Sequence, residues 1–321
     1  MLHALYTASA PGKIILMGEH AVVYGRPAMA VPVHQVQATA SLTVQDGASD
    51  LWIAATDLGQ RTALSSAPPV NPLAQAVRLT LTFLQRAAPA GELSVHSTIP
   101  LAGGMGSGAA VSTAIGRALA AWAGQTIPAA DLSALVYEVE RLHHGTPSGI
   151  DNTVIAYGQP VWFVKGQPPQ PFAIPHAFWL VIASTGIASP TRETVGAVRQ
   201  AWLADPVRLE GLFDDIAGLV NAGRTAMLAG DWPRLGALLS QNHRLLAEMG
   251  VSSPILDRLV DAARLAGAFG AKLSGGGRGG NIIALVEPSA AETTADALRQ
   301  AGAAAIFITP VSAGVPHAAS L

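Results

Sequence analysis

Two glycine-rich runs constrain this chain most, because they interrupt it at different kinds of junction. The first is Gly103-Gly104-Met105-Gly106-Ser107-Gly108, with four glycines in six residues. It separates a strand-like segment at 92–97 from a long helical segment that runs from 106 to about 123. The second is Gly275-Gly276-Gly277-Arg278-Gly279-Gly280, set between two short strand-like segments at 271–273 and 281–286. Glycine permits close backbone approach and conformations closed to other residues. Where such a loop opens a helix, free amides and a favourable partial charge converge, which suits a phosphate. A plain strand-to-helix turn with a serine N-cap is the alternative, but it needs fewer glycines. Gly275, Gly277 and Gly280 satisfy G-x-G-x-x-G, yet they lead into a strand and not a helix, which argues against a dinucleotide-binding turn. The second run reads as a flexible loop that passes close to a ligand and closes over it. No G-x-x-x-x-G-K-[ST] occurs, so a Walker loop is not supported.

Composition narrows the classes. A length of 321 residues suits two packed lobes, and half of the residues are hydrophobic. The net charge of −2 does not suggest a nucleic-acid or anionic-membrane partner. With no cysteine there are no disulfides or thiolate sites, which fits a reducing cytoplasm. No apolar run reaches the roughly 18 residues of a spanning helix, and the start lacks the basic region of a signal peptide. Of 19 basic residues only three are lysines, Lys13, Lys165 and Lys272. A lysine kept against that bias suggests a need for a compact ammonium.

Strands are expected at 5–9, 13–17, 28–33, 37–44, 51–55 and 92–97, with a helix at 72–86. A second helix over 129–144 places Leu132, Leu135, Val136, Val139 and Leu142 on one face, and Gly145 and Pro147 end it. The turn-rich stretch 166–172 marks a boundary, which gives lobes over 1–172 and 173–321. Beyond it come a strand at 178–183, four helical stretches between 190 and 266, strands flanking the second glycine run, a helix at 290–301 and a strand at 304–308. The tail 314–321 reads as loosely held.

Two further constellations carry chemistry. Pro11-Gly12-Lys13, then Gly18-Glu19-His20-Ala21-Val22-Val23-Tyr24-Gly25, brings a lysine and a carboxylate–imidazole pair to one turn; a capped hairpin is the plain alternative. Glu140, then Thr146-Pro147-Ser148-Gly149-Ile150-Asp151-Asn152, supplies two carboxylates. One can hold Mg²⁺ while the other orients or deprotonates a hydroxyl. Alternatively, Glu140 is a solvated helix residue and Asp151 a cap. Glu140 with His143 also forms E-x-x-H, a poor metal site without a third ligand.

Together these segments resemble the GHMP small-molecule kinases, and within them the mevalonate kinase family. Residues 11–25 are similar to P-G-K-x-I-L-x-G-E-H-A-V-V-x-G, 104–110 to G-L-G-S-S-A-A, 146–152 to [TN]-P-S-G-[VI]-D-N, and 272–281 to K-L-[ST]-G-A-G-G-G-G-C. The resemblance implies an α+β, two-lobed fold, with an N-terminal lobe like domain 2 of ribosomal protein S5 and a ferredoxin-like C-terminal lobe. It implies ATP and Mg²⁺ as cofactors, mevalonate as the small-molecule partner, and a cytoplasmic homodimer. Asp151 and Lys13 then stand at the catalytic positions. Pro100, Gly103, Gly104, Met105, Gly106, Ser107, Gly108 and Ala109 line ATP. Ser107 and Glu140 hold the metal. Lys13, Glu19, His20, Ser148, Asp151, Ser274 and Gly275 meet the alcohol. Three departures stand out: Gly108 replaces the second serine, Arg278 interrupts the last glycine run, and Ser184-Thr185-Gly186 stands where many relatives have D-T-G. Arg278 could hold phosphate or point outward. A kinase for phosphomevalonate or another mevalonate hydroxyl, a non-catalytic relative that only binds, and a dehydrogenase resting on the misplaced G-x-G-x-x-G are the competing readings.

Overall fold

The computed structural model describes residues 4–45, 47–100, 103–144, 147–189 and 191–312. Leu101 and Ala102, which precede the first glycine-rich run, lie outside them, as do Gly145, Thr146 and the tail at 314–321 and the side chains of His143 and His144. The chain forms two compact units and crosses between them repeatedly: one holds 1–12, 36–100 and 106–158, the other 13–35, 101–105 and 159–321.

Strands β1 (Leu5–Met17) and β2 (Ala28–Val44) pair with each other. The sequence suggests two strands in each, with breaks at 10–12 and 34–36. Both run through. Pro11 keeps a φ that extended chain accepts and forfeits only one donor. His34 and Gln35 are exposed, which interrupts the apolar pattern without bending the backbone.

In the first unit β3 (Leu51–Ala55) and β4 (Gln60–Ala63) form a hairpin, and α1 (Pro72–Leu84) crosses over. Strand β5 (Gly91–Ser97) then returns parallel to β3 and antiparallel to residues 38–44 of β2. Packed against α1 are α2 (Ser107–Trp122) and α3 (Ala129–His144), and α4 (Ile150–Tyr157) packs on both α2 and α3. Val77, Leu81, Ile115, Leu119, Leu132, Val136 and Val154 fill the space between these elements.

The second unit carries β6 (Val161–Phe163), antiparallel to residues 28–30 of β2, and β7 (Gln170–Pro171) beside it. Then come β8 (Phe178–Ser184), α5 (Thr191–Ala204), α6 (Pro206–Ala229), α7 (Trp232–Glu248), α8 (Pro254–Leu265), β9 (Gly270–Ser274), β10 (Asn281–Val286), α9 (Ala291–Gln300) and β11 (Ala305–Val311). The last four strands make an antiparallel sheet ordered β11-β8-β10-β9. Numbered within the lobe, that order is 4-1-3-2, a ferredoxin-like sheet with a helical insertion after its first strand. Strand β11 outlasts the expected one and includes Pro310, which a sheet edge tolerates.

Candidate active site

Three helix starts carry a side-chain cap. Asn71 caps α1 by accepting from Ala74 N at 3.0 Å, Asp205 caps α6 from Arg208 N at 3.2 Å, and Asp231 caps α7 from Arg234 N at 3.1 Å. At α2 and α4 the N-cap is instead a left-handed glycine, Gly106 at φ 74° and Gly149 at φ 91°, and no side chain caps the amides. Ser107 is thus the first helical residue, not the cap. These two starts follow the motifs singled out in the sequence.

In the first unit, α2 and α3 approach closely at Gly108. A β-carbon there would stand 2.7 Å from Glu140 Oε1. Glu140 is buried and not solvated, because the glycine leaves room for its carboxylate beside the first turn of α2. Asp151 sits half-buried in the first turn of α4. Its neighbour Asn152 is buried and donates through Nδ2 to Ser133 O at 3.0 Å and Ser133 Oγ at 2.9 Å, which pins α4 to α3. Residues adjacent on a helix point about 100° apart, so anchoring by Asn152 turns Asp151 toward another direction. Ser148 Oγ accepts from Ile150 N at 3.4 Å within the turn before α4.

In the second unit, Lys13 is buried, and its backbone N donates to Met105 O at 3.0 Å while Nζ donates to Gly104 O at 3.0 Å. Asn281 Nδ2 donates to Gly103 O. The 103–105 segment is therefore held by a lysine from β1 and an amide from β10. Glu19 and His20 are both buried. Glu19 pairs with the fully buried Lys272, and its Oε2 is buried without a hydrogen-bond partner. His20 adopts φ 61°, and its Nε2 lies 3.1 Å from Gly276 O. A carbonyl only accepts, so Nε2 carries the hydrogen and Nδ1 is the acceptor. Burial, reinforced by the nearby Lys272 and Arg278 charges, lowers the His20 pKa to about 4 against the opposing Gly276 bond. Ser274 Oγ donates to Ile15 O at 2.8 Å.

The second glycine run is packed and not loose. At Gly277, φ is 80° and a β-carbon would fall 2.0 Å from Val251 O. The loop is further tied by Arg278 N to Val251 O, Gly280 N to Ile187 O and Ser189 Oγ to Gly277 O. Gly277 and Gly279 answer close approach to the protein's own backbone, and Gly276 to the Ser189 and Thr191 hydroxyls. Arg278 is exposed, and its guanidinium donates to Gly250 O at 3.3 and 3.4 Å, just past the end of α7. Ser184 Oγ accepts from Gly186 N at 3.2 Å, and Thr185 Oγ1 donates to Gly280 O at 3.0 Å, so this segment braces the same loop.

Sequence reasoning missed Lys272 and Asn281 as parts of this arrangement. The scarcity of lysine marked Lys272 but could not name a partner 253 residues away.

A GHMP kinases N terminal domain model matches residues 72–159, and a GHMP kinases C terminal model matches 224–304. The mevalonate kinase of Pyrococcus furiosus is 32% identical across 92% of this chain and 93% of its own length. The chain belongs to the GHMP kinases. A second relative of this kinase, the mevalonate kinase of Thermococcus sibiricus, is 33% identical across 95% of the chain and 96% of its own length. Among solved structures, L. major mevalonate kinase in complex with R-mevalonate superposes with a TM-score of 0.84 at 27% identity, covering 98% of each chain. Streptococcus pneumoniae phosphomevalonate kinase has the same fold, with a TM-score of 0.81 at 16% identity over 95% of this kinase and 99% of its own chain.

Proposed function

We propose that this kinase transfers the γ-phosphoryl of ATP to the C5 hydroxyl of mevalonate, releasing 5-phosphomevalonate and ADP in the mevalonate route to isoprenoids. Fold alone does not choose the acceptor, since a phosphomevalonate kinase superposes nearly as well as a mevalonate kinase. The observation that carries the choice is identity of 32–33% to mevalonate kinases over almost the whole chain. A phosphorylated acceptor would also call for added cations, and Arg278, one candidate, is engaged with Gly250.

In this reading Asp151 takes the proton of the C5 hydroxyl as that oxygen attacks the γ-phosphorus, and the bond to the ADP oxygen breaks in line. The Lys13 ammonium, buried and anchored on Gly104, steadies the developing charge. Pro100 and Gly103–Ala109 surround the phosphates, where the uncapped amides of α2 serve as donors. Glu19, His20, Ser148, Ser274 and Gly275 form the acceptor's surroundings. Glu140 and Ser107 offer the hard oxygen donors that Mg²⁺ takes, one or two from protein and the rest from phosphate and water. Mg²⁺, when bound, neutralises phosphate charge. The reading also includes a lobe boundary at 172/173 and a cytoplasmic homodimer; sedimentation of the purified chain tests the dimer.

The test is ADP release with mevalonate, phosphomevalonate, galactose and homoserine in parallel, with the product weighed by mass spectrometry. Turnover should require mevalonate. Asp151→Asn should lose about 10²–10⁴-fold in kcat, the usual contribution of a general base, with ATP binding kept. Near-normal turnover in that variant would sink the assignment.

A further inference from the structure

Lys272 has no part in the roles above, although it is one of three lysines. Its ammonium is wholly buried, pairs with Glu19 and donates also to Leu273 O. Two more ties join the same segments: Ser274 Oγ to Ile15 O, and His20 Nε2 to Gly276 O. The end of β9 thus grips the end of β1 and the turn after it. That turn is not relaxed, since the non-glycine His20 has φ 61°. A non-glycine residue held there persists only where its surroundings over-determine it.

A buried ion pair is a weak device for stability, since apolar residues of similar volume often serve as well. It is a better device for fixing an atom. Lys272 occupies Glu19 Oε1, while Oε2 stays buried and unfilled. Beside it, His20 carries its hydrogen on Nε2, which leaves Nδ1 as an acceptor. Two acceptors are thus held on one turn, and a hydroxyl is the group that would supply them with a hydrogen.

We infer that Lys272 is a positioning residue for the alcohol acceptor, acting through Glu19 to hold the 18–20 turn and its two acceptor atoms in place. This rests on the mevalonate kinase reading, so the test has one arm that needs no substrate. Lys272→Met, Glu19→Gln and the double variant Glu19→Gln/Lys272→Met are compared with the unaltered chain. The single Lys272→Met leaves a buried carboxylate unpaired and can fail to fold; the double variant leaves none and should melt near the unaltered chain.

In the substrate-free arm, hydrogen exchange of the 14–25 peptides should quicken about tenfold in the double variant, with α6 unchanged. In the catalytic arm, KM for mevalonate should rise about tenfold in each folded single variant and no further in the double, because the two side chains act as one unit, while KM for ATP holds. Unchanged exchange over 14–25 in the double variant overturns the inference. So does a double variant whose KM for mevalonate is unaltered, or is the product of the two single effects. If the unaltered chain does not turn over mevalonate, the functional reading fails, and the exchange result still decides whether Lys272 holds the turn.

Discussion

The two glycine-rich runs share a composition and differ in what their glycines face. At Gly104 φ is 73°, and a β-carbon would meet nothing within 4 Å. At Gly277 φ is 80°, and a β-carbon would be driven into Val251 O at 2.0 Å. The first run contains a left-handed glycine cap, Gly106, that leaves the α2 amides without a side-chain cap; the second is a hairpin loop bonded to Val251, Ile187 and Ser189. Glycine richness therefore reports close backbone approach, and the approaching group differs. In the second run it is the protein itself. In the first run Gly108 makes room for Glu140, while the space at Gly104 is left open, and the proposed function fills that space with the phosphates of ATP.

The contrast breaks first at Gly277. A Gly277→Ala variant combines left-handed strain with a backbone clash, and should lose about 4 kcal/mol of stability. Chemical denaturation checks this; a loss under 1 kcal/mol would mean the loop can move aside, as a flexible closing element would. The next largest effect is acid lability at His20. Its folded pKa of about 4 lies below the unfolded 6.5, so the folded state disfavours protonation. That stability is full above pH 6.5 and is lost as pH falls toward 4, by ~3 kcal/mol in all. His20→Asn, which accepts left-handed φ and removes the titrating ring, should flatten this limb of the denaturation–pH curve.

A smaller effect is expected at Gly104→Ala. Strain without a clash should cost about 1 kcal/mol, so the protein stays folded while KM for ATP rises. An unchanged KM would remove phosphate from this part of the loop. The smallest belongs to Arg278→Gly, where relief of the φ 57° strain offsets the loss of two long bonds to Gly250 O. Stability should change by less than about 0.5 kcal/mol, with KM for ATP unaltered. A clear rise in that KM would restore the phosphate-contact reading of Arg278.

Much of the fold is legible locally. Asn71 before Pro72, and Asp205 before Pro206, announce helix starts because the cap and the proline act within one turn. The apolar face of α3 announces the burial of Leu132, Val136 and Val139, whereas Leu142, near the end of the helix, is exposed. Helix α4 was legible only as a cap position at Asp151, since eight residues carry little periodicity. The short β6 and β7 were missed because three and two residues show no alternation. In the site, the residue types at Lys13, Glu19, His20, Glu140 and Asp151 were readable, but their surroundings were not. Glu140 is buried because a glycine on another helix makes room for it.

Read alone, the sequence yields the longer elements in order, both glycine-rich loops and the kinase family, because these rest on neighbours along the chain and on spacing. What Gly104 and Gly277 face follows from the tertiary fold and not from the local sequence. Positive φ and a missing side chain look alike in the sequence whether the space is left open or filled by Val251. Which of these holds depends on a carbonyl brought from another element, and no local preference encodes that.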